Sequence, residues 1–211
     1  MKNIFYIVSK TILKPIFFLV YRPVIIGREN IPKAGSIVLA GNHTNWKDPL
    51  LLISVVNRPI HFLAKIELFK GLIGAVVKLM GCIPVDRKIH DKNALTSAVE
   101  VLNKGEVIGI FPEGTINRTK DIVMPFKIGA VKMAEETKSV IVPFVITSKY
   151  NAGFRKRRIQ IEFLNGMKVS SDLDSENKKL MKSVASKLEE YNERIRYIET
   201  KDDKDTMEKV L

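Results

Sequence analysis

From residue 23 onward the chain alternates two hydrophobic rhythms. Residues 24–26, 37–40, 60–63, 107–111 and 140–146 are short apolar runs of β type, and they predict strands. Between them, segments near 49–57, 67–80, 91–103 and 127–138 have helical patterns. Ile159, Ile161 and Phe163 alternate with polar neighbours and predict one further, half-exposed strand. This alternation implies an α/β fold, a single mixed and mostly parallel sheet flanked by helices, in which ligands sit beyond the carboxyl ends of the strands.

Near the end, Leu180, Val184, Leu188, Tyr191, Ile195 and Ile198 recur every three or four residues, the stripe of an amphipathic helix docked on the core. The stripe stops at Glu199, so 200–211 is expected to form a charged, mobile tail. With no internal repeat and no Pro/Gly-rich linker, residues 23–199 read as one domain.

The opening segment follows a third pattern. Among the first 28 residues stand Lys2, Lys10, Lys14, Arg22 and Arg28 with no acid, interleaved with apolar residues that include Phe17 and Phe18. Lys10 and Lys14 interrupt the apolar run and Pro15 should end or kink a helix, so two short amphipathic helices over 1–22 are expected in place of one span. No small-residue cleavage site follows, and the segment reads as retained. Lys10, Lys14, Phe17, Phe18 and Arg22 are the candidate membrane contacts; a helix packed on the protein's own core is the alternative.

Composition narrows the class. A chain of 211 residues with 45% hydrophobic and 27% charged positions excludes disordered and collagen-like structure. Its one cysteine, Cys82, rules out an internal disulfide and removes any need for an oxidising compartment, which points to the cytoplasmic face of a membrane. The net charge of +12 attracts phosphate-rich partners, whether nucleic acid, an anionic bilayer or a phosphorylated substrate. Nucleic acid is disfavoured, because the aromatics concentrate in the opening segment rather than among base-reading basic residues.

The chemistry-bearing residues follow predicted strands. His43 leaves the sheet after the run 37–40 and just before a helical stretch. Asp48, followed by Pro49, suits a helix N-cap, and it could equally accept a hydrogen bond from the His43 ring. A histidine so held can act as a general base. With no Ser or Cys evident as nucleophile, the attacking oxygen would be the substrate's own and the reaction a direct group transfer. Glu113, Gly114, Thr115 and Arg118 follow the run 107–111 in the same way, and Arg87 and Lys127 supply further cations at loop ends. Together these suggest a phosphate site, although each alone reads as a solvated charge. The cluster Arg155, Lys156, Arg157 and Arg158 forms a second basic patch. His61 and His90 read as structural, and no histidine spacing suggests a metal.

In order and spacing, the His-x4-Asp pair at His43 and Asp48, the segment 81–87, the segment 111–115 and Val142-Pro143-Phe144 resemble the four blocks of the glycerolipid acyltransferase family, in particular its bacterial 1-acylglycerol-3-phosphate acyltransferases. The resemblance covers roughly residues 23–150. It implies transfer of a fatty acyl group from acyl-CoA or acyl-carrier protein to the sn-2 hydroxyl of lysophosphatidic acid at an anionic membrane surface, with no cofactor and no metal. By the same resemblance His43 would deprotonate the acceptor hydroxyl and Asp48 would orient it. Glu113, Gly114 and Thr115 would shape the acceptor loop, Arg87, Lys127 and Arg118 would take the phosphate, and Pro143 would support the pocket. The chain departs from the pattern at Ile116, where the family usually carries arginine; Arg118 lies two places on. Another lysophospholipid or glycerol-3-phosphate as acceptor, or a non-catalytic basic membrane-binding protein, are the competing readings. Backbone amides near 42–44 or at Gly114 are candidate oxyanion donors.

Overall fold

In chain order the strands are β1 (Val24–Ile26), β2 (Ile37–Gly41), β3 (Ile60–Lys65), β4 (Ile83–Val85), β5 (Val107–Ile110), β6 (Val140–Thr147) and β7 (Gln160–Phe163), seen in a computed structural model that describes residues 4–86, 89, 91–147 and 158–207. They form a seven-stranded sheet in the order β1-β7-β6-β2-β5-β3-β4, parallel at every pairing except β6 with β7. Helices α1 (Ile4–Tyr21), α2 (Asp48–Val55), α3 (Gly71–Leu79), α4 (Lys92–Asn103), α5 (Gly129–Glu136) and α6 (Leu173–Met207) complete it. The expected α/β architecture with a mostly parallel sheet is therefore present.

Side chains on alternate positions of a central strand enter opposite faces, and β2 shows this directly. Ile37 and Leu39 join a core cluster with Leu51, Leu52 and Val55 of α2 and Tyr6 and Phe17 of α1. Val38 and Ala40 join the other cluster, with Ala98 and Leu102 of α4, Ala130 and Val131 of α5, and Leu180 and Val184 of α6. Two apolar layers thus sandwich the sheet.

Three expectations need correction. The strand β4 was not anticipated from the apolar rhythm: it is three residues long and contains Pro84, tolerated because β4 is an edge strand. The helix expected near 67–80 is divided at Lys70, whose backbone is extended, into a 3-10 turn (Ile66–Phe69) and α3. The opening segment is one helix, α1, with Pro15 inside it. Tyr6 and Phe17 lie three helical turns apart on one face and are buried on either side of Pro15, so tertiary packing keeps the helix continuous through a residue that would break it in isolation.

The same packing reassigns two of the candidate membrane contacts. Phe17 is buried in the core, and the Lys10 ammonium donates to the Val56 carbonyl, where burial, with Lys14 and Arg28 nearby, pushes its pKa down to about 8. Phe18 and Lys14 are half-buried, with the ammonium over the ring, and Arg22 is exposed. Among the apolar residues that α1 turns to solvent, Val8, Ile12, Ile16 and Leu19 form one stripe opposite Tyr6 and Phe17. No described helix is long and apolar enough to cross a membrane. At the other end, α6 continues to Met207, past Glu199 and through most of the segment expected to be a tail. Arg87, His90, Arg155, Lys156, Arg157 and residues 208–211 lie outside the described residues.

Candidate active site

Strands β2 and β5 are parallel neighbours in the register Ala40 to Ile110, so the loops that leave their carboxyl ends start side by side. His43 and Glu113, each three residues past that pair, meet there: the His43 amide donates to Glu113 Oε1 at 2.8 Å. The second oxygen, Oε2, accepts from the Met124 amide at 2.9 Å, and the His43 carbonyl accepts from the Asn117 amide at 2.8 Å. Glu113 is thus a buried clamp between the two loops. Burial pushes its carboxyl above the usual range, opposed by the bonds from Met124 and His43.

Asn42 fixes the start of the first loop. Its Nδ2 donates to the Ile146 carbonyl at 2.9 Å and its Oδ1 accepts from the Ile146 amide at 2.8 Å, so the side chain continues the pairing of β2 with β6. Neither this role nor the clamping role of Glu113 was anticipated; Asn42's adjacency to His43 at a strand end was the available signal.

Asp48 is fully buried, and His43 Nδ1 lies 2.8 Å from its Oδ2. The same oxygen accepts from the amides of Thr44 at 2.7 Å and Asn45 at 2.8 Å. Lys47 occupies the position before the helix and Asp48 is its first residue, one place inside the expected N-cap, and the carboxylate reaches back to the loop that carries His43. With three donors on this one oxygen, the carboxylate holds the imidazole with Nδ1–H toward Asp48, which leaves Nε2 as the nitrogen that can take a proton. The His43 ring stacks on Phe111 at 4.0 Å between centroids, and Phe111 meets the Phe144 ring edge-on at 5.8 Å. Pro143 itself is buried in β6 opposite Ala40 and does not line the cavity, so the fourth block reaches the site through Phe144.

His43 lines a cavity of about 640 Å³ whose other walls are mainly apolar. Ile12 and Leu13 come from α1, Leu50 and Ile53 from α2, and Leu68, Val76, Val77 and Met80 from the turn and helix that follow β3. Thr115 lines it too, and so does Ile116, which puts an apolar side chain where the resemblance calls for arginine.

Gly114 has φ +74, and a Cβ there would lie 2.9 Å from Lys127 Nζ and Cε, so the bare backbone lets the lysine lie across this loop. The Lys127 amide donates to the Pro112 carbonyl at 2.9 Å. Arg118 is exposed on a turn organised by Asn117, whose Oδ1 accepts from the Thr119 amide at 2.9 Å, and it is not a cavity-lining residue. Three of the suggested oxyanion amides are already engaged: His43 with Glu113, Thr44 with Asp48, and Gly114 with the Phe111 carbonyl at 2.9 Å. His61 is held between the Gly81 carbonyl at 2.7 Å and Glu106 at 2.8 Å, away from His43. Among the described residues no three His, Cys, Asp or Glu side chains form a metal-ligand group.

Residues 22–147 match the family model described as Acyltransferase. The chain is 36% identical over 121 residues to the 1-acyl-sn-glycerol-3-phosphate acyltransferase of Bacillus subtilis, covering 56% of this chain and 59% of that protein. It is 37% identical over 131 residues to the protein of the same name from Borreliella burgdorferi, covering 61% and 52%. The chain therefore spans between half and three-fifths of these curated relatives. Among solved structures it resembles the 1-acyl-sn-glycerophosphate acyltransferase PlsC of Thermotoga maritima, with a TM-score of 0.73, 24% identity, and coverage of 87% of this chain and 78% of the other. At that identity the likeness speaks for the fold.

Proposed function

The chain belongs to the Acyltransferase family, and from that premise we propose that it moves a fatty acyl group from acyl-CoA or acyl-carrier protein to the sn-2 hydroxyl of 1-acyl-sn-glycerol-3-phosphate, giving phosphatidic acid at a membrane surface. The observation that carries the proposal is the His43–Asp48 pair set in the wall of a large apolar cavity. An apolar cavity suits alkyl chains, and a histidine oriented by a buried carboxylate suits removal of a hydroxyl proton.

In this mechanism His43 Nε2 takes the proton of the acceptor hydroxyl as its oxygen attacks the thioester carbonyl, while Asp48 stabilises the imidazolium that forms. Collapse of the tetrahedral intermediate breaks the C–S bond, and His43 returns the proton to the departing sulfur, so the donor leaves as a thiol. With the amides of His43, Thr44 and Gly114 engaged, Thr115, a cavity-lining residue with a hydroxyl, is assigned as oxyanion donor. Lys127, lying over Gly114, is assigned to the acceptor phosphate, with Arg118 and Arg87 as further cations. The proposed reaction calls on these side chains and its two substrates, with no cofactor.

Ile116 in the cavity wall favours one second reading, in which the acceptor is a different lysophospholipid or glycerol-3-phosphate. Both readings are tested by following labelled acyl transfer from acyl-CoA, then from acyl-carrier protein, to each acceptor in detergent micelles. The native chain should form phosphatidic acid, and His43→Ala should lower the rate by about a thousandfold or more. Product formed equally by His43→Ala would sink the mechanism, and product only from another acceptor would select the second reading.

A further inference from the structure

Four apolar side chains stand exposed on α3: Leu72 is 90% accessible, Ile73 70%, Leu79 51% and Val76 49%. They fall within about 120° of one another around the helix, and Gly74, on the opposite side, is buried. A Cβ on Gly74 would lie 2.1 Å from the Phe69 carbonyl carbon, so the glycine lets α3 lie directly on the preceding 3-10 turn. That contact turns the apolar face outward. The turn adds Ile66 and Leu68, about half exposed, and the loop that carries His43 adds Trp46, 66% exposed. Trp46, Leu68 and Val76 line the same cavity as Ile12 of α1, so these residues belong to one apolar surface around the cavity. Exposed apolar surface on this scale marks an interaction site.

We propose that α3 and Trp46 form a second bilayer-inserting face beside α1, so that the cavity opens into lipid. The proposal rests on the reading of the chain as an enzyme that works at a membrane surface. Charge at its border favours an anionic bilayer over a protein partner: Lys47, Lys65 and Lys70 stand there against Glu67, which pairs with Lys65 at 3.1 Å. The Lys47 ammonium lies 5.6 Å from the Trp46 ring centroid and 5.1 Å from that of Tyr21, and so ties the catalytic loop to the end of α1. An indole with one end apolar and the other wet suits the headgroup boundary.

Trp46 is the only tryptophan, so its fluorescence reports this face alone. The full chain is mixed with vesicles of phosphatidylcholine and phosphatidylglycerol, with and without acyl chains brominated near the headgroup. Trp46 emission should shift to the blue and be quenched by the brominated lipid. The doubly substituted chain Leu72→Glu, Ile73→Glu should bind the vesicles on the order of a hundredfold more weakly. If those substitutions unfold the chain, quenching in the parent remains a complete test. A vesicle-bound parent whose Trp46 is unquenched, or a folded variant that binds as the parent does, overturns the proposal. So does self-association in vesicle-free buffer that the substitutions abolish while vesicle binding is absent, since the face would then join two copies. None of these readouts uses turnover, so a chain without acyl transfer would defeat the proposed reaction and leave this inference standing.

Discussion

Glu113 holds a carboxylate at 3% exposure with two backbone amides as its partners, one of them that of His43. Because burial raises its pKa, the folded state binds this proton more readily than the unfolded one, and the contribution of the group to stability falls as pH rises above the unfolded value. Its position therefore benefits the loops and not the net stability. Glu113→Gln can accept from one amide but presents its NH2 to the other, so one strut of the clamp is lost while the buried charge is removed. Turnover should fall by about tenfold to a hundredfold with the thermal midpoint nearly unchanged at neutral pH, as read by acyl-transfer kinetics alongside circular dichroism. Unchanged turnover would mean that the clamp does not position His43. The pair His43 and Asp48 was legible in the sequence because only five positions separate them, across one short loop to the start of α2. The clamp was not, since its bond spans 70 positions and that of Asn42 with Ile146 spans 104.

Elements were legible where a local rhythm ran long enough to be counted, as in β6, with eight residues, and α4, with twelve. They were not where three residues of β4 had to be recognised around a proline, or where partners across the fold overrode Pro15 in α1. The start of α4 shows local chemistry with a wider reach. Asp91 caps the helix by accepting from the Ala94 amide at 3.1 Å and also accepts from the Asp86 amide at 2.9 Å, which anchors the end of the segment after β4. Those bonds, that of Asp86 first, hold the Asp91 carboxyl below the usual range. With the folded pKa depressed, the stabilisation is present above the unfolded value and is lost as pH falls through the folded one. Asp91→Asn keeps a cap without a titrating group, so its stability should fall less steeply with acid. Asp91→Ala should cost about 1 kcal/mol at neutral pH. Urea unfolding followed from about pH 6 to about pH 2 distinguishes them, and an acid limb identical in parent and Asn variant would remove Asp91 from the account.

Over the whole molecule α1 is a part of the domain that also offers an apolar stripe to the outside. The Tyr6 hydroxyl accepts from the Ile60 amide at 3.2 Å and donates to the Arg58 carbonyl at 3.5 Å, Phe17 is buried in the core, and Ile12 and Leu13 wall the cavity. A detachable anchor would have none of these contacts. Removing residues 1–22 should therefore do more than release the chain from vesicles: it exposes the Ile60 end of β3, opens one cavity wall and should lower the melting temperature markedly. Ile16→Glu with Leu19→Glu makes the contrast, because these side chains are 56% and 77% exposed and neither lines the cavity. That variant should melt within about 0.5 kcal/mol of the parent per site and keep acyl transfer to a short-chain acceptor in detergent, while binding anionic vesicles more weakly. A truncated chain that melts with the parent would show that the helix only anchors. If instead truncation unfolds the chain and the substitutions affect vesicle binding alone, one helix both completes the cavity and faces the lipid, and the distance between His43 and the bilayer is fixed by the fold rather than by a flexible tether.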